Sequence, residues 1–339
     1  MRRLILLIWI ALVWVVCATS WAWAQSHGVA VQVSQGQNVP SRAQLRQLIL
    51  PGDFVRDMAP WAKFDPNCDL TSGGGIVIPG AMQTLYDNVA AVGAKNFVNL
   101  GFNNAACGQA SNFGWVDFPD TPALRAEFAA YAVQVVRSVP NLAGISIWNE
   151  LNGSFNGGYV GPGSGAAKVT AYCQLVNQVI TEVRKVNPDI PIAIGASVGW
   201  NIDGWFIKLF DRYGCMGKND PTIWLDVHPY ISGVYSPDVS NGWIKWGKKL
   251  ANIREHGVNN RLIATEWGGP AANKWMQQTP GGNYPQTFQD VIVAPDPGWV
   301  GLMWFEALYD TNIANMGLLD SSGSALTKVG QDYTAVFAH

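Results

Sequence analysis

Two glutamates can do chemistry here because of where they stand. An apolar, strand-like run over residues 142–148 ends in Asn149-Glu150, and a second run from Leu262 ends in Glu266-Trp267. A pair of carboxyl groups facing one gap can divide the work, one giving and taking a proton while the other attacks or stabilises charge. Strict alternation would send Asn149 away from the face that Trp148 occupies. Bringing Asn149 and Glu150 into one cleft therefore requires the strand to bulge or end there. The 116 positions from Glu150 to Glu266 (266 − 150) span three strand–helix units, so the two can face each other across a barrel mouth.

The elements that must position them alternate. Strand-like runs cover 28–33, 52–58, 96–102, 142–148, 191–196, 224–230, 262–267 and 300–305. Helical stretches lie between and after them: 41–50 capped by Ser41, 81–92, a helix opening at Asp120-Thr121-Pro122 and running to 138, then 164–186, 203–213, 242–255 stopped by Gly257, a weaker one over 284–293, and a closing one over 325–337. Eight such units predict an α/β fold, a (β/α)8 TIM barrel forming a single domain over residues 25–339. In such barrels the reactive groups sit at the carboxyl ends of the strands. Polar residues collect there: Arg56-Asp57, Asn103-Asn104, Asn149-Glu150, His228 and Glu266, with the aromatics Trp200, Tyr230, Trp267 and Trp304. Each has a plainer reading. Arg56 can pair with Asp53 or Asp57, His228 can be structural, Trp267 and Trp304 can be core, and Asp226 and Glu306 are spare carboxylates that can displace the chosen pair.

Residues 1–24 read as a signal peptide: Arg2 and Arg3 precede an apolar run, and Ala22-Trp23-Ala24 offers a cleavage site. A secreted or periplasmic protein, with no membrane association after cleavage, is expected. Removing Arg2 and Arg3 leaves 20 basic residues (22 − 2) against 24 acidic ones, and charged residues are 14% of the chain. That is no nucleic-acid footprint. A monomer is expected.

Cysteines 68, 107, 173 and 215 follow the leader without CxxC spacing, and His27, His228, His256 and His339 are scattered without HExxH. No metal and no other cofactor is expected. Cys68 and Cys107 fall in neighbouring loops at the active end, Cys173 and Cys215 in adjacent helical layers. The predicted disulfides are Cys68–Cys107 and Cys173–Cys215.

With these residues in order, the whole chain after the leader resembles the clan A glycoside hydrolases, closest in style to families 5 and 39. The resemblance rests on Asn149-Glu150 ending strand 4, Glu266 ending strand 7, Arg56 on strand 2, His228-Pro229-Tyr230 on strand 6 and Trp304 on strand 8. Leu151 stands where family 5 usually has Pro, and Asn103 where it often has His. The resemblance implies a retaining mechanism with Glu266 as nucleophile and Glu150 as general acid, then base. It implies that Asn149 bonds the hydroxyl beside the reacting carbon, Tyr230 donates to Glu266, His228 binds sugar and Trp304 forms a stacking floor. Trp200, Trp267, Asn103 and Trp115 would line sugar subsites. Two carboxyls with different tasks need different surroundings, so Arg56 is expected beside Glu266 and aromatics beside Glu150. The substrate implied is a neutral or weakly charged β-linked polysaccharide or oligosaccharide.

Two other classes remain open at this point. Gly195-Ala-Ser197-Val-Gly199 satisfies G-x-S-x-G after a strand, which would make Ser197 a hydrolase nucleophile with Asp226 and either His256 or His339. A non-catalytic carbohydrate-binding barrel would keep the fold without turnover.

Overall fold

The computed structural model describes residues 26–112, 119–151, 165–198, 202–229, 239–268, 289–293, 298–308 and 316–337, with positions 286 and 296. The predicted leader, Trp115, Trp200, Tyr230 and His339 lie outside the described residues.

Eight parallel strands close into a barrel in sequence order. They are β1 (Ser26–Ala30), β2 (Phe54–Pro60), β3 (Lys95–Gly101), β4 (Leu142–Ile147), β5 (Ile192–Val198), β6 (Ile223–His228), β7 (Arg261–Trp267) and β8 (Trp299–Phe305). The outer layer holds α1 (Arg42–Leu48), α2 (Gly80–Ala91), α3 (Pro122–Ser138), α4 (Gly165–Arg184), α5 (Ile202–Asp211), α6 (Val239–Glu255) and α7 (Lys328–Phe337), while between β7 and β8 a π-helical turn covers Gln289–Val293. Local signals set several helix starts. Ser41 and Gln44 form a reciprocal capping box before α1, and Thr121 caps α3 with Pro122 in its first turn.

Alternation along each strand sorts the side chains. Val55, Val98, Ile145, Leu225 and Leu302 point outward and join the large core shared with the helices. Phe54, Phe97, Ala193, Trp224, Ile263, Val300 and Met303 form a separate cluster that plugs the barrel interior. One pleat further along come Arg56, Asn99, Asp226 and Thr265, all fully buried, with Ser146 paired to Asn99 on β4. The barrel thus has an apolar floor and a polar storey above it, and the strand ends open onto that storey.

Two elements differ from the sequence expectation for visible reasons. Strand 1 stops at Ala30 because Val33–Gln35 turns into a 3-10 helix closed by Gly36 at φ 101°. The last helix begins at Lys328, not 325. Leu319 and Leu326 pair as an antiparallel bridge around a turn whose backbone is held by the Asp320 side chain.

Both predicted disulfides are present, with Cα–Cα separations of 5.2 Å for Cys68–Cys107 and 4.5 Å for Cys173–Cys215. The first ties the loop after β2 to the loop after β3, where Asn104 Nδ2 also donates to the carbonyl of Asp65 at 2.7 Å. The second ties α4 to the turn beyond α5. They close loops of 39 and 42 positions, so replacing either pair with alanine is expected to cost about 2–4 kcal/mol in urea unfolding. An unchanged midpoint would show that neither bridge constrains the unfolded chain. Among the described residues, no helix is long and apolar enough to cross a membrane.

Candidate active site

Strand 4 ends in an abrupt change of backbone. Trp148 has φ 64° and Glu150 φ 42°, both left-handed values that L-residues seldom adopt. Trp148 stays anchored: its N–H donates to the Leu100 carbonyl at 2.7 Å, and its own carbonyl accepts from Asn99 Nδ2 at 3.0 Å. The indole packs outward, near Phe128. Because the chain twists on either side of Asn149, that residue and Glu150 both turn toward the barrel mouth. Asn149 Oδ1 accepts from Arg56 Nη2 at 3.3 Å, and Glu150 Oε1 lies 2.8 Å from His228 Nδ1. Strain of this kind persists where the surroundings over-determine it, as at functional sites.

Strand 7 reaches the same place by a bulge. Its register against β8 slips between Ala264 and Trp267. Thr265 and Glu266 therefore both face inward although adjacent in sequence. Thr265 Oγ1 lies 3.0 Å from His228 Nε2, while Glu266 Oε2 lies 3.6 Å from His228 Nδ1. The other Glu266 oxygen, Oε1, forms an ion pair with Arg56 Nη2 at 2.6 Å. One oxygen of Glu150, one of Glu266 and a ring nitrogen of His228 all fall within 4.8 Å of one another.

The charges are buried. Arg56 and His228 are fully buried, and Glu150, Glu266 and Asn149 retain only a few per cent of their surface. Burial alone would push the His228 imidazole down. The charge of Glu266, the hydrogen bond to Glu150 and the charges of Glu150 and Asp226 outweigh it and lift His228 to about 9. Below His228, Asp226 accepts from Thr265 Oγ1 at 2.7 Å, from Thr265 N–H at 3.3 Å and from Ser146 Oγ. Burial raises the Asp226 carboxyl, and His228 and these donors pull it back.

The geometry decides between the readings these residues allowed. Arg56 pairs with Glu266, not with Asp53 or Asp57. Asp53 accepts from the backbone of His27 and Leu50, and Asp57 from Ser34 and Met58. Both ring nitrogens of the fully buried His228 are engaged, Nδ1 by Glu150 and Nε2 by Thr265. Trp267 and Trp304 do not lie open as a floor. Both are fully buried, 4.8 Å apart edge to face, and packed on Phe337 and Tyr333 of α7, with Trp304 Nε1 donating to the Met316 carbonyl at 2.9 Å. Their outward facing follows from alternation past Glu266, once the bulge has turned it inward, and past Met303. Asn103 is buried just beyond β3, after Phe102 at φ 70°. Glu306 accepts from Gln32 Nε2 at 2.8 Å and stands outside the Glu150–His228–Glu266 cluster.

The serine triad is not formed with His256. Ser197 is paired within the sheet opposite Val227, and its buried hydroxyl makes no hydrogen bond among the described residues. His256 sits exposed at the end of α6 on the Asn252 carbonyl, while Asp226 is committed to Thr265 and Ser146. The left-handed turn in this stretch falls at Gly195, not at the serine.

Sequence reasoning missed Thr265, Ser146 and Asn99. Their signal was present: each is a polar residue that follows apolar ones in a strand buried on both faces, where a polar side chain needs a partner. Glu150, His228 and Glu266 converge closely enough to grip a divalent cation. The positive charge facing the carboxylates is, however, already supplied by Arg56 and His228.

No protein-family model and no curated protein matches this sequence. Solved structures do match in shape. A family 39 glycoside hydrolase from the gut symbiont Bacteroides cellulosilyticus WH2 superposes with a TM-score of 0.65 at 22% identity, covering 93% of this chain and 64% of its own. A triple mutant of an endo-β-1,4-glucanase from Xanthomonas axonopodis pv. citri gives 0.64 at 11% identity, covering 93% of this chain and 100% of that one. A monomeric β-xylosidase from Caulobacter crescentus CB15 gives 0.59 at 16%, covering 93% and 68%. At such identities the likeness establishes the fold alone: the chain shares the barrel of these solved structures.

Proposed function

We propose that this protein is a retaining glycoside hydrolase, exported after loss of residues 1–24, that cleaves β-glycosidic bonds with residues 25–339 as one catalytic domain. The observation that carries the proposal is the approach of a Glu150 oxygen and a Glu266 oxygen to within 4.8 Å. Retaining enzymes hold their two carboxyl groups roughly 5–5.5 Å apart, while inverting ones leave roughly 6.5–9.5 Å for a water between them. A gap this narrow suits direct attack on the sugar.

In this reading Glu266, held by Arg56, attacks the anomeric carbon as Glu150 protonates the departing glycosidic oxygen. A glycosyl ester on Glu266 results. Glu150 then takes a proton from water, whose oxygen displaces Glu266 and restores the original configuration. Asn149, anchored by the same guanidinium, bonds the hydroxyl next to the reacting carbon. The substrate is a neutral or weakly charged β-linked polysaccharide or oligosaccharide, in keeping with a chain only 14% charged. The names of the similar structures, a β-1,4-glucanase, a β-xylosidase and an exo-β-1,4-mannosidase from Opitutaceae bacterium strain TAV5, all concern β-linked sugars. Two disulfides fit export.

A screen of β-glucans, mannans, xylans and microbial exopolysaccharides, with the first-formed product anomer read by proton NMR, tests this. The β-anomer is expected first. An α-anomer would overturn double displacement, and tight oligosaccharide binding without product over days would favour a non-catalytic barrel.

A further inference from the structure

Among the described residues, the groups facing His228 are Glu150 from β4, Glu266 and Thr265 from β7, and Asp226 from its own strand, with Arg56 of β2 across Glu266. Thr265 is the informative one. Its backbone N–H can only donate, and both that N–H and its hydroxyl reach the same oxygen, Asp226 Oδ1. The second Asp226 oxygen is taken by the Ser146 hydroxyl. With its proton spent on Asp226, Thr265 Oγ1 turns a lone pair toward His228 Nε2, 3.0 Å away. Nε2 must then carry a hydrogen.

The geometry points to Asp226 and Thr265 as positioning residues that lock His228 in its Nε2–H tautomer, so that His228 Nδ1 and Glu150 share the acid/base proton. This rests on the reading of Glu150 as acid/base. With Nε2–H fixed, the neutral ring leaves Nδ1 bare, 2.8 Å from Glu150 Oε1. One proton then lies between the two atoms, whichever holds it more closely. When the leaving oxygen takes that proton, a bare nitrogen faces a carboxylate oxygen. Their repulsion favours taking a proton back from the incoming water, which restores the starting state. In the opposite tautomer the neutral ring would donate from Nδ1, and Glu150 would sit as a carboxylate with nothing to give. Asp226 adds its negative charge near Nε2, at 3.8 Å, which favours keeping the shared proton on the pair. Burial, which otherwise works against a charged ring, is outweighed here and His228 is raised to about 9.

The test uses the full chain with 15N-labelled histidine, His228 being assigned as the signal lost in His228→Gln. A protonated Nε2 is expected in the wild type wherever the ring is neutral, and an unprotonated Nε2 there overturns the proposal. This reading needs no turnover, so it stands apart from whether the protein hydrolyses sugars. On substrate, Asp226→Asn and the isosteric Thr265→Val should each move the basic limb of the kcat/KM profile to lower pH by about one pH unit, whereas Thr265→Ser keeps the hydroxyl and should leave it in place. A basic limb unmoved in Thr265→Val, the variant less exposed to folding failure, would equally overturn it. Activity lost in Glu150→Gln with an unmoved limb in Thr265→Val would reject the relay while sparing the acid/base assignment. An active Glu150→Gln would reject the assignment itself.

Discussion

Glu266→Gln is expected to lower kcat/KM by roughly 10⁴-fold or more, since an amide of the same size cannot form the glycosyl ester. Glu150→Gln should cost roughly 10²–10⁴-fold on natural substrates, and less on aryl glycosides whose leaving group departs without a proton. The two variants separate further with azide. Glu266→Ala opens the face opposite the leaving group, so azide should restore turnover and give an inverted glycosyl azide. Glu150→Ala still forms the ester, so azide should intercept it and give a retained one. Circular dichroism must show both folds intact, because each glutamate is buried against a basic side chain. Full activity in either glutamine variant, on a substrate with a poor leaving group, would end the assignment.

The barrel was legible because its strands are apolar on both faces and end in polar pairs, a pattern that survives without any alignment. The pairing of cysteines was legible for the same reason: once Cys68 and Cys107 are placed in loops following adjacent strands, few partners remain. The fate of Trp304 was not. An aromatic at a strand end has two faces available, and only the three-dimensional alternation past Met303 shows that it looks toward Tyr333 of α7. Nor did the sequence reveal that Thr265 and Glu266 share a face. Adjacent residues in a regular strand point apart, and the bulge that overrides this leaves no mark in residue types. The kink at Trp148 and Glu150 was inferable only by demanding that Asn149 and Glu150 both be useful. His228 shows a third kind of gap. Its place on β6 was readable, but its work depends on Ser146, Asp226 and Thr265, contributed by three strands and separated by up to 119 positions (265 − 146).

Arg56 is where activity and stability meet, and its removal should register in both. The guanidinium is fully buried, its Nη2 is shared between Glu266 at 2.6 Å and Asn149 at 3.3 Å, and its Nε and Nη1 make no hydrogen bond among the described residues. Arg56→Met fills the space but strips Glu266 of its closer cation, leaving His228 Nδ1 at 3.6 Å to balance the carboxylate in a nearly dry site. Breaking a buried pair in this way costs about 3–5 kcal/mol, read as a lower urea midpoint. Most of the penalty belongs to the abandoned partner, not to the lost attraction. Adding Glu266→Gln to Arg56→Met should therefore recover much of the loss, so that the double variant is more stable than the single one. Arg56→Lys separates the two duties. A single ammonium can balance Glu266 but lacks the rigid guanidinium plane that aims the two N–H bonds of Nη2, one at Glu266 and one at Asn149. Stability should return most of the way, while kcat stays low because Asn149 is no longer held. Equal stability of Arg56→Met and the wild type would mean that solvent reaches Glu266, and with it the dry, charge-balanced cleft on which the mechanism depends would be lost.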